Sequence, residues 1–585
     1  MTRAIVEVET AGGQHLNIDL DAKRKAILVA GGHLLVTGGP GAGKTTIALL
    51  KAQAILGQLT AGQQVLFLSF SRAAVRAVAT RCKSLLSTTE RSQIEVQTYH
   101  SFCLELIKAH GRLLTGRPPS IRYPDEDRLQ KSAFAGNWHE EAARLARDAS
   151  VYGFDQFASA AATLVNGCAA VRDLLGRKYP MIIVDEFQDT DDDQWRLVAV
   201  LSQVATIFSL ADPDQSIFQY DAKVDPKRIE KAVAFLKPTV VDLAGDNHRS
   251  PNSGILKFAD AVLTNTALPR PCPEVTQHAY PPKMFQGTTH AGVVWMFSHL
   301  ASKGIVNPSV AVLCRSNALV SDISAALSQE NVYNGRTYKP VEHQVIWDAE
   351  LSAASAVVLA SILEWATLPP AEAGAITMRA AAAYCRLKDA IKTSQSARAA
   401  AAGFAGAAQA ASAGKALRNK YGKEIAEAAL IGVELRGDPV ADWRAARAVL
   451  AGIPVLADVL KQVRLVRLFR ATDALGQGLA DMWVGTGSYK GAAAFVKKTL
   501  DQERLISAEL EPQGCLVMNI HKSKGKEFDG VVLIEGQFKS HFFDEKGDPP
   551  PSLHARRLLR VAITRARTRV AIIRSQGAVP PLITV

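Results

Sequence analysis

Between residues 33 and 212, short apolar, β-branched runs alternate with segments whose apolar positions recur at helical spacing. The runs are HLLVTG, TTIALLKAQAIL and QVLFLSF, followed later by MIIVDE and TIFSLAD. This alternation predicts a parallel sheet joined by crossover helices. A second series begins at TVVDLAG (239–245), continues at VAVLCRS (310–316), and resumes at CLVMNIH (515–521), VVLIE and VAIIR. The chain is therefore expected to be α/β, with two parallel-sheet lobes. Each series is broken by a stretch of helical periodicity without repeated strand signals. The expected division is a first lobe of 1–103 and 179–235 with a helical insert at 104–178. The second lobe is expected at 236–345 and 511–585, with a helical insert at 346–510.

With 585 residues, 48% of them apolar and 21% charged, the chain has the makeup of a multi-core globular protein and excludes a disordered or collagenous one. No signal-peptide core and no run of about 18 strongly apolar residues occurs, so neither export nor a membrane span is expected. The uncharged stretch 399–414, AAAAGFAGAAQAASAG, is built of small residues and is expected to pack as helix and loop. The seven cysteines are scattered and contain no CxxC pair, which argues against a disulfide framework or a zinc site and points to a reducing cytoplasm. A net charge of +12 suggests a polyanionic partner, nucleic acid before an acidic membrane surface. Residues 379–470 alone carry 16 basic and 7 acidic side chains, a pattern that fits either a solvated helical surface or a nucleic-acid face.

The sharpest chemistry lies at 38–45. GGPGAGKT matches GxxxxGK[ST] between an apolar strand and a helix, and a chance match in a chain of this length has a probability of roughly 2%. The glycines of the loop, Gly38, Gly39, Gly41 and Gly43, with Pro40 and Ala42 between them, let the backbone fold tightly so that successive N–H groups and the helix N-terminus face an anion. Lys44 would reach the β and γ phosphates, and Thr45, next to Thr46, would offer its hydroxyl to Mg²⁺. Downstream, MIIVDEFQDT sets Asp185 and Glu186 at a strand end, where one carboxylate can hold the hydrated metal and the other can deprotonate water. A DE pair after a strand is by itself a common solvated end; together with the glycine loop it reads as ATP or GTP hydrolysis.

An ordered set of further motifs is similar to the UvrD/Rep/PcrA-type superfamily 1A DNA helicases. SFSRAA (69–74) and QTYHSFC (97–103) resemble motifs Ia and Ib, DEFQDT (185–190) motif II, and ADPDQSIFQYDA (211–222) motif III. NHRS (247–250) resembles motif IV, NIHKSKGKEF (519–528) motif V, and RRLLRVAITRAR (556–567) motif VI. The resemblance implies two RecA-like lobes of the P-loop NTPase class that close on ATP, with single-stranded DNA crossing both and 3′ to 5′ travel. It implies that Arg249 and Arg565 meet the γ phosphate, that Gln215 senses it, and that Glu527 lies near the ribose. A planar, always-charged guanidinium suits charge spreading over transferred phosphoryl oxygens. The same resemblance nominates Phe70, Tyr99, His100, Phe218, Tyr220 and His521 as DNA contacts, consistent with the aromatic faces that sequence-tolerant strand binding needs.

The sequence also departs from the family pattern. Arg24 stands where a base-reading glutamine is expected and His248 where a base-stacking tyrosine is expected, which predicts relaxed discrimination among nucleoside triphosphates. Ala211 replaces glycine, DA replaces the RGA ending of motif III, and Arg560 replaces a tyrosine of motif VI. With 18 residues after Arg567, neither a polymerase-recruiting tail nor a fused nuclease is expected. The segment 537–550 lies where relatives carry a separation pin, making Phe542 and Phe543 its candidates, with a plain surface loop as the alternative. These readings favour a helicase or translocase on single-stranded and tailed duplex DNA, in repair or in defence against foreign DNA. The alternative is a nucleic-acid-sensing ATPase subunit that controls a separate nuclease. RNA as the track is a third, less favoured reading.

Overall fold

The computed structural model describes the chain apart from 1–3, 10–14, 123–129, 131–133, 135–136, 218–223, 244–247, 249–252, 270, 347–348, 393–394, 458, 461–472, 507–512, 539, 544–547, 577–581 and 583–585. One compact unit comprises Met1–Ser120, Ala146–Ile346 and Glu511–Val585; a second comprises Ile121–Leu145 and Trp347–Leu510.

The first unit is built on two six-stranded parallel sheets. In one, the strands lie side by side in the order Thr239–Asp242, Leu34–Thr37, Thr206–Ala211, Met181–Val184, Val65–Ser69 and Ile94–Thr98. In the other the order is Val275–Tyr280, Ala566–Ser575, Phe528–Ile534, Ser309–Cys314, Gly514–Asn519 and His343–Ile346. Val65–Ser69, Met181–Val184 and Ser309–Cys314 are buried along their whole length, which is why they read as unbroken apolar runs. The crossover helix Lys44–Leu56 is buried along most of its length too. Its one central charge, Lys51, donates to the carbonyls of Leu28 and Ala30 at 2.7 Å each.

Local signals set several helix starts. Ser71 accepts from the Ala74 N–H, Thr98 from Ser101, and Asp191 forms a capping box with Gln194. The α/β, two-sheet expectation holds. Strand Thr239–Asp242, however, pairs with Leu34–Thr37 and closes the edge of the first sheet instead of opening the second. Val240 is half-exposed, as an edge position permits. Thr37 Oγ1 donates to Asp242 Oδ1 at 3.0 Å, and Leu243 N–H to Thr37 O at 2.8 Å.

The expected insert at 104–178 also divides differently. Helix Phe157–Gly167 packs on Tyr99–His110 and on Asp192–Leu201, so 146–178 belongs to the first unit and only 121–145 lies in the second. The second unit is helical, including Ala349–Leu363, Pro370–Lys392, Gln395–Ser412, Lys420–Ile431, Pro439–Leu450, Asp473–Thr486 and Ala492–Ile506. The small-residue stretch forms the helix Gln395–Ser412, which buries Ala397, Ala401, Phe404, Ala407 and Ala408 in that unit's core. No helix among the described residues is long and apolar enough to cross a membrane.

Candidate functional site

The glycine loop runs from the end of strand Leu34–Thr37 to helix Lys44–Leu56. Gly41 and Gly43 adopt φ of 80° and 83°, values that glycine reaches without the Cβ penalty. Gly43 caps the helix with no side-chain hydrogen bond, so the helix N-terminus is left to face an anion. Lys44 Nζ turns back on its own loop, donating to Gly38 O at 2.7 Å and Gly39 O at 3.1 Å. An ammonium held by carbonyls can exchange them for phosphate oxygens. This uncapped terminus, the left-handed glycines and the neighbouring Thr45 hydroxyl and Asp185 carboxylate fit a nucleotide phosphate with Mg²⁺.

Asp185 follows strand Met181–Val184, its N–H donating to Leu68 O at 2.9 Å. Glu186 takes φ 52°, uncommon for a non-glycine residue, and turns the chain into the 3₁₀ segment Phe187–Asp189. Gln188 Nε2 then donates to Glu186 Oε2 at 2.6 Å, while Gln188 Oε1 accepts from the Asp212 N–H at 3.0 Å. Both carboxyls keep some surface toward solvent but lie in a densely walled cleft. Burial, and next the Glu186 charge, push Asp185 well above the usual aspartate value. Burial also raises Glu186, but Lys524, Lys44 and Gln188 outweigh it and hold this carboxyl below the usual glutamate value.

Two groups from the second sheet's segments close on this set. Arg565, 2% exposed, donates from Nη2 to Gln215 Oε1 at 2.8 Å and from Nε to Val561 O at 3.0 Å. Gln215 in turn donates to Asp212 Oδ2 at 2.6 Å. The resemblance nominated Arg565 and Gln215 separately; the fold brings them into direct contact. Lys524, not nominated, reaches further in: it pairs with buried Asp189, lies 3.4 Å from Glu186 Oε2, and donates to Gln215 O at 2.9 Å. Its position within NIHKSKGKEF was the available signal, but three lysines in five residues gave no basis for choosing it. Burial alone would depress Lys524, yet Glu186 and Asp189 raise it above the ordinary lysine value. Glu527 lies farther out, pairing with Arg567 at 3.4 Å.

Arg24, beside the loop, donates to Ala42 O at 2.8 Å, pairs with Asp21, and has its Nη2 3.3 Å from His248 Nε2. The His248 N–H donates to Gly41 O at 2.7 Å. The two residues that depart from the family's base-reading pair thus touch one another and the loop. Arg249, Phe218 and Tyr220 lie outside the described residues.

The remaining DNA candidates divide. Phe70 directly follows strand Val65–Ser69 and is partly exposed, and His100 is half-buried with its ring stacked on Phe154 at 4.3 Å. His521 is half-buried, its ring 6.4 Å from that of His554. Burial, then His554, Arg315 and Lys524, lower His521 to about 4, so at neutral pH it offers a neutral ring. Tyr99 corrects its expectation. It is 1% exposed, inside the first sheet's packing near Asp185 and Asp191, where no base can reach its face.

Phe542 and Phe543 correct theirs as well, being 2% and 5% exposed. They pack in the core of the second sheet, with the Arg574 guanidinium 5.8 and 5.9 Å from their ring centres, and cannot act as a protruding pin. Sequence reading also missed a basic cluster. Lys526 lies near Arg76 and Lys522, and a methyl group built on Gly525 would be in ordinary contact with the Ser71 cap, 3.5 Å from Ser71 Oγ. Burial, then Arg76 and Lys522, lower Lys526 to about 8.

Comparison with known proteins agrees with this geometry. A model of the UvrD/REP helicase N-terminal domain matches residues 20–150 and 125–231, and a UvrD-like helicase C-terminal domain matches residues 514–573. The chain is 21% identical over 321 residues to the ATP-dependent DNA helicase Rep of Buchnera aphidicola subsp. Baizongia pistaciae, covering 47% of this chain and 46% of that protein. It is 23% identical over 302 residues to UvrD1 of Mycobacterium leprae (41% and 39% covered) and 22% over 297 to PcrA of Bacillus subtilis (43% and 40% covered). The match therefore spans less than half the length of these relatives. Two domain models met in chain order, together with relatives of all three kinds, support a UvrD/Rep/PcrA-type helicase.

Proposed function

We propose that this chain hydrolyses ATP with Mg²⁺ and uses the cycle to travel 3′ to 5′ along single-stranded DNA, acting on tailed duplexes in repair or in defence against foreign DNA. The observation that carries the reading is the buried Arg565–Gln215 contact, in which side chains 350 residues apart meet beside the glycine loop. A site whose walls come from two sheets completes itself only when they close, and that couples nucleotide state to motion.

In this reading Lys44 exchanges the carbonyls of Gly38 and Gly39 for phosphate oxygens, and the N–H groups of the loop and helix start hold the rest. Thr45 and Asp185 would hold Mg²⁺, which would supply positive charge to neutralise the phosphates. Glu186, held ionised at neutral pH, accepts the proton of the attacking water, with Gln188 fixing its Oε2. Arg565, and Arg249 by resemblance, stabilise charge on the transferred group while Gln215 reports its presence. Phe70, His100 and His521 contact the strand, and the Lys522, Lys526 and Arg76 cluster supplies phosphate-binding charge. Because Arg24 and His248 are engaged with each other and the loop, GTP competes with ATP; exclusive use of ATP in a competition assay would refute that part.

Glu186→Gln tests the chemistry: nucleotide and DNA binding persist while turnover falls at least a hundredfold. Undiminished turnover would show that the base lies elsewhere. A second reading, an ATPase that senses DNA and controls a separate nuclease, is favoured by the burial of Phe542 and Phe543, which removes the expected strand-separating wedge. The purified chain on a 3′-tailed duplex decides between them: product strands favour the helicase, and DNA-stimulated hydrolysis without them the sensor. RNA in place of DNA as the stimulating strand tests the third.

A further inference from the structure

Helix Leu553–Ile563 carries a second arginine toward the nucleotide loop. Arg560 is 3% exposed, and its Nε donates to Asp260 Oδ1 at 2.8 Å, which fixes the plane of the guanidinium. The two terminal nitrogens are held loosely. Nη1 lies 3.5 Å from Asp212 Oδ1 and Nη2 3.7 Å from Asp214 Oδ2, both beyond hydrogen-bond distance. Nη1 is buried and makes no hydrogen bond among the described residues. A methyl group built on Gly39 would lie 3.6 Å from Nη2, so this side of the guanidinium stands against the loop itself.

A buried guanidinium with unspent donors is costly unless something completes it. Three surrounding carboxylates keep it charged and in place, yet leave the end nearest the loop available. The group that fits is an anion with several oxygens, and the adjacent loop is built to hold one.

We propose that Arg560 is a nucleotide-binding residue, whose terminal nitrogens leave Asp212 and Asp214 and hydrogen-bond the phosphate chain over Gly39 while Nε stays on Asp260. The exchange also frees Asp212, which holds Gln215 by a 2.6 Å hydrogen bond, so phosphate arrival is felt at the Gln215–Arg565 contact. The inference rests on reading the loop as a nucleotide site.

The test is titration of the full chain with a fluorescent ATP analogue and Mg²⁺, with steady-state hydrolysis alongside. Arg560→Ala should weaken analogue binding and raise the KM for ATP about tenfold, with kcat changed less than about threefold. Arg560→Lys, keeping the charge but not the fork, should fall between. Unchanged affinity with a lowered kcat would overturn the proposal, since it would mean that Arg560 acts only through Asp212 on Gln215. Should Arg560→Ala fail to fold, unchanged affinity in Arg560→Lys overturns it equally. Lys44→Ala separates the two readings: if that variant binds the analogue as tightly as the unaltered chain, the nucleotide site itself is refuted, whereas binding lost in Lys44→Ala but unchanged in the Arg560 variants refutes only this inference.

Discussion

Replacing Lys524 with methionine keeps the length of the side chain and removes its charge from between Glu186 and Asp189. Asp189 is 1% exposed, and its second oxygen has no hydrogen-bond partner among the described residues, so loss of the lysine leaves a buried carboxylate uncompensated. Breaking such a pair costs about 3–5 kcal/mol while the remaining group stays charged. The acid has an escape, however. Burial already pushes Asp189 up to about 6 against the pull of Lys524, and without the lysine it rises further.

A carboxyl whose folded value lies above its unfolded one binds extra protons in the folded state, so its cost is absent at low pH and complete above the folded value. The loss in melting temperature for Lys524→Met should therefore be small at pH 5, where Asp189 is protonated in both proteins, and large at pH 8. Two further consequences follow from Lys524 itself. Once Asp189 is ionised, the raised value of Lys524 means that its own contribution is intact through neutral pH and is lost only as pH rises through that value. Glu186 also loses the strongest group lowering it, so the acidic limb of the hydrolysis profile moves to higher pH. Thermal melts at the two pH values and a hydrolysis profile from pH 5 to 9 measure both effects. Equal destabilisation at pH 5 and pH 8 would refute the reasoning.

Three other outcomes are expected. Phe542→Ala with Phe543→Ala should destabilise the second sheet by about 3–5 kcal/mol per ring, lowering hydrolysis and any unwinding together; a selective loss of unwinding in a stably folded variant would return these rings to a wedge. Tyr99→Phe removes a buried hydroxyl that has no hydrogen-bond partner among the described residues. It should leave DNA affinity unchanged and stability equal or higher by less than about 1 kcal/mol, as a filter-binding assay and a melt would show. Lys526, lowered to about 8, is charged below that pH, so DNA affinity should fall as pH rises through about 8, with a shallower salt dependence above it; a flat profile from pH 7 to 9 would remove Lys526 from the DNA face.

What the sequence determined by itself is what neighbouring residues decide. The glycine loop, its flanking strand and helix, the carboxylates at the end of Met181–Val184, and the Ser71, Thr98 and Asp191 caps all act over a few positions, where backbone sterics and hydrogen bonds have few alternatives. The ordered motifs added a resemblance to the UvrD/Rep/PcrA-type helicases and nominated Arg565 and Gln215. Only the tertiary structure decided what pairs across hundreds of residues. It seated Lys524 on Asp189 and put Thr239–Asp242 at the edge of the first sheet. It also turned Tyr99, Phe542 and Phe543 inward. An aromatic ring has the same local preferences whether it faces a base or a core, and an edge strand reads like any other strand. Which side is buried follows from where distant segments close over it, and that is settled by packing the whole lobe.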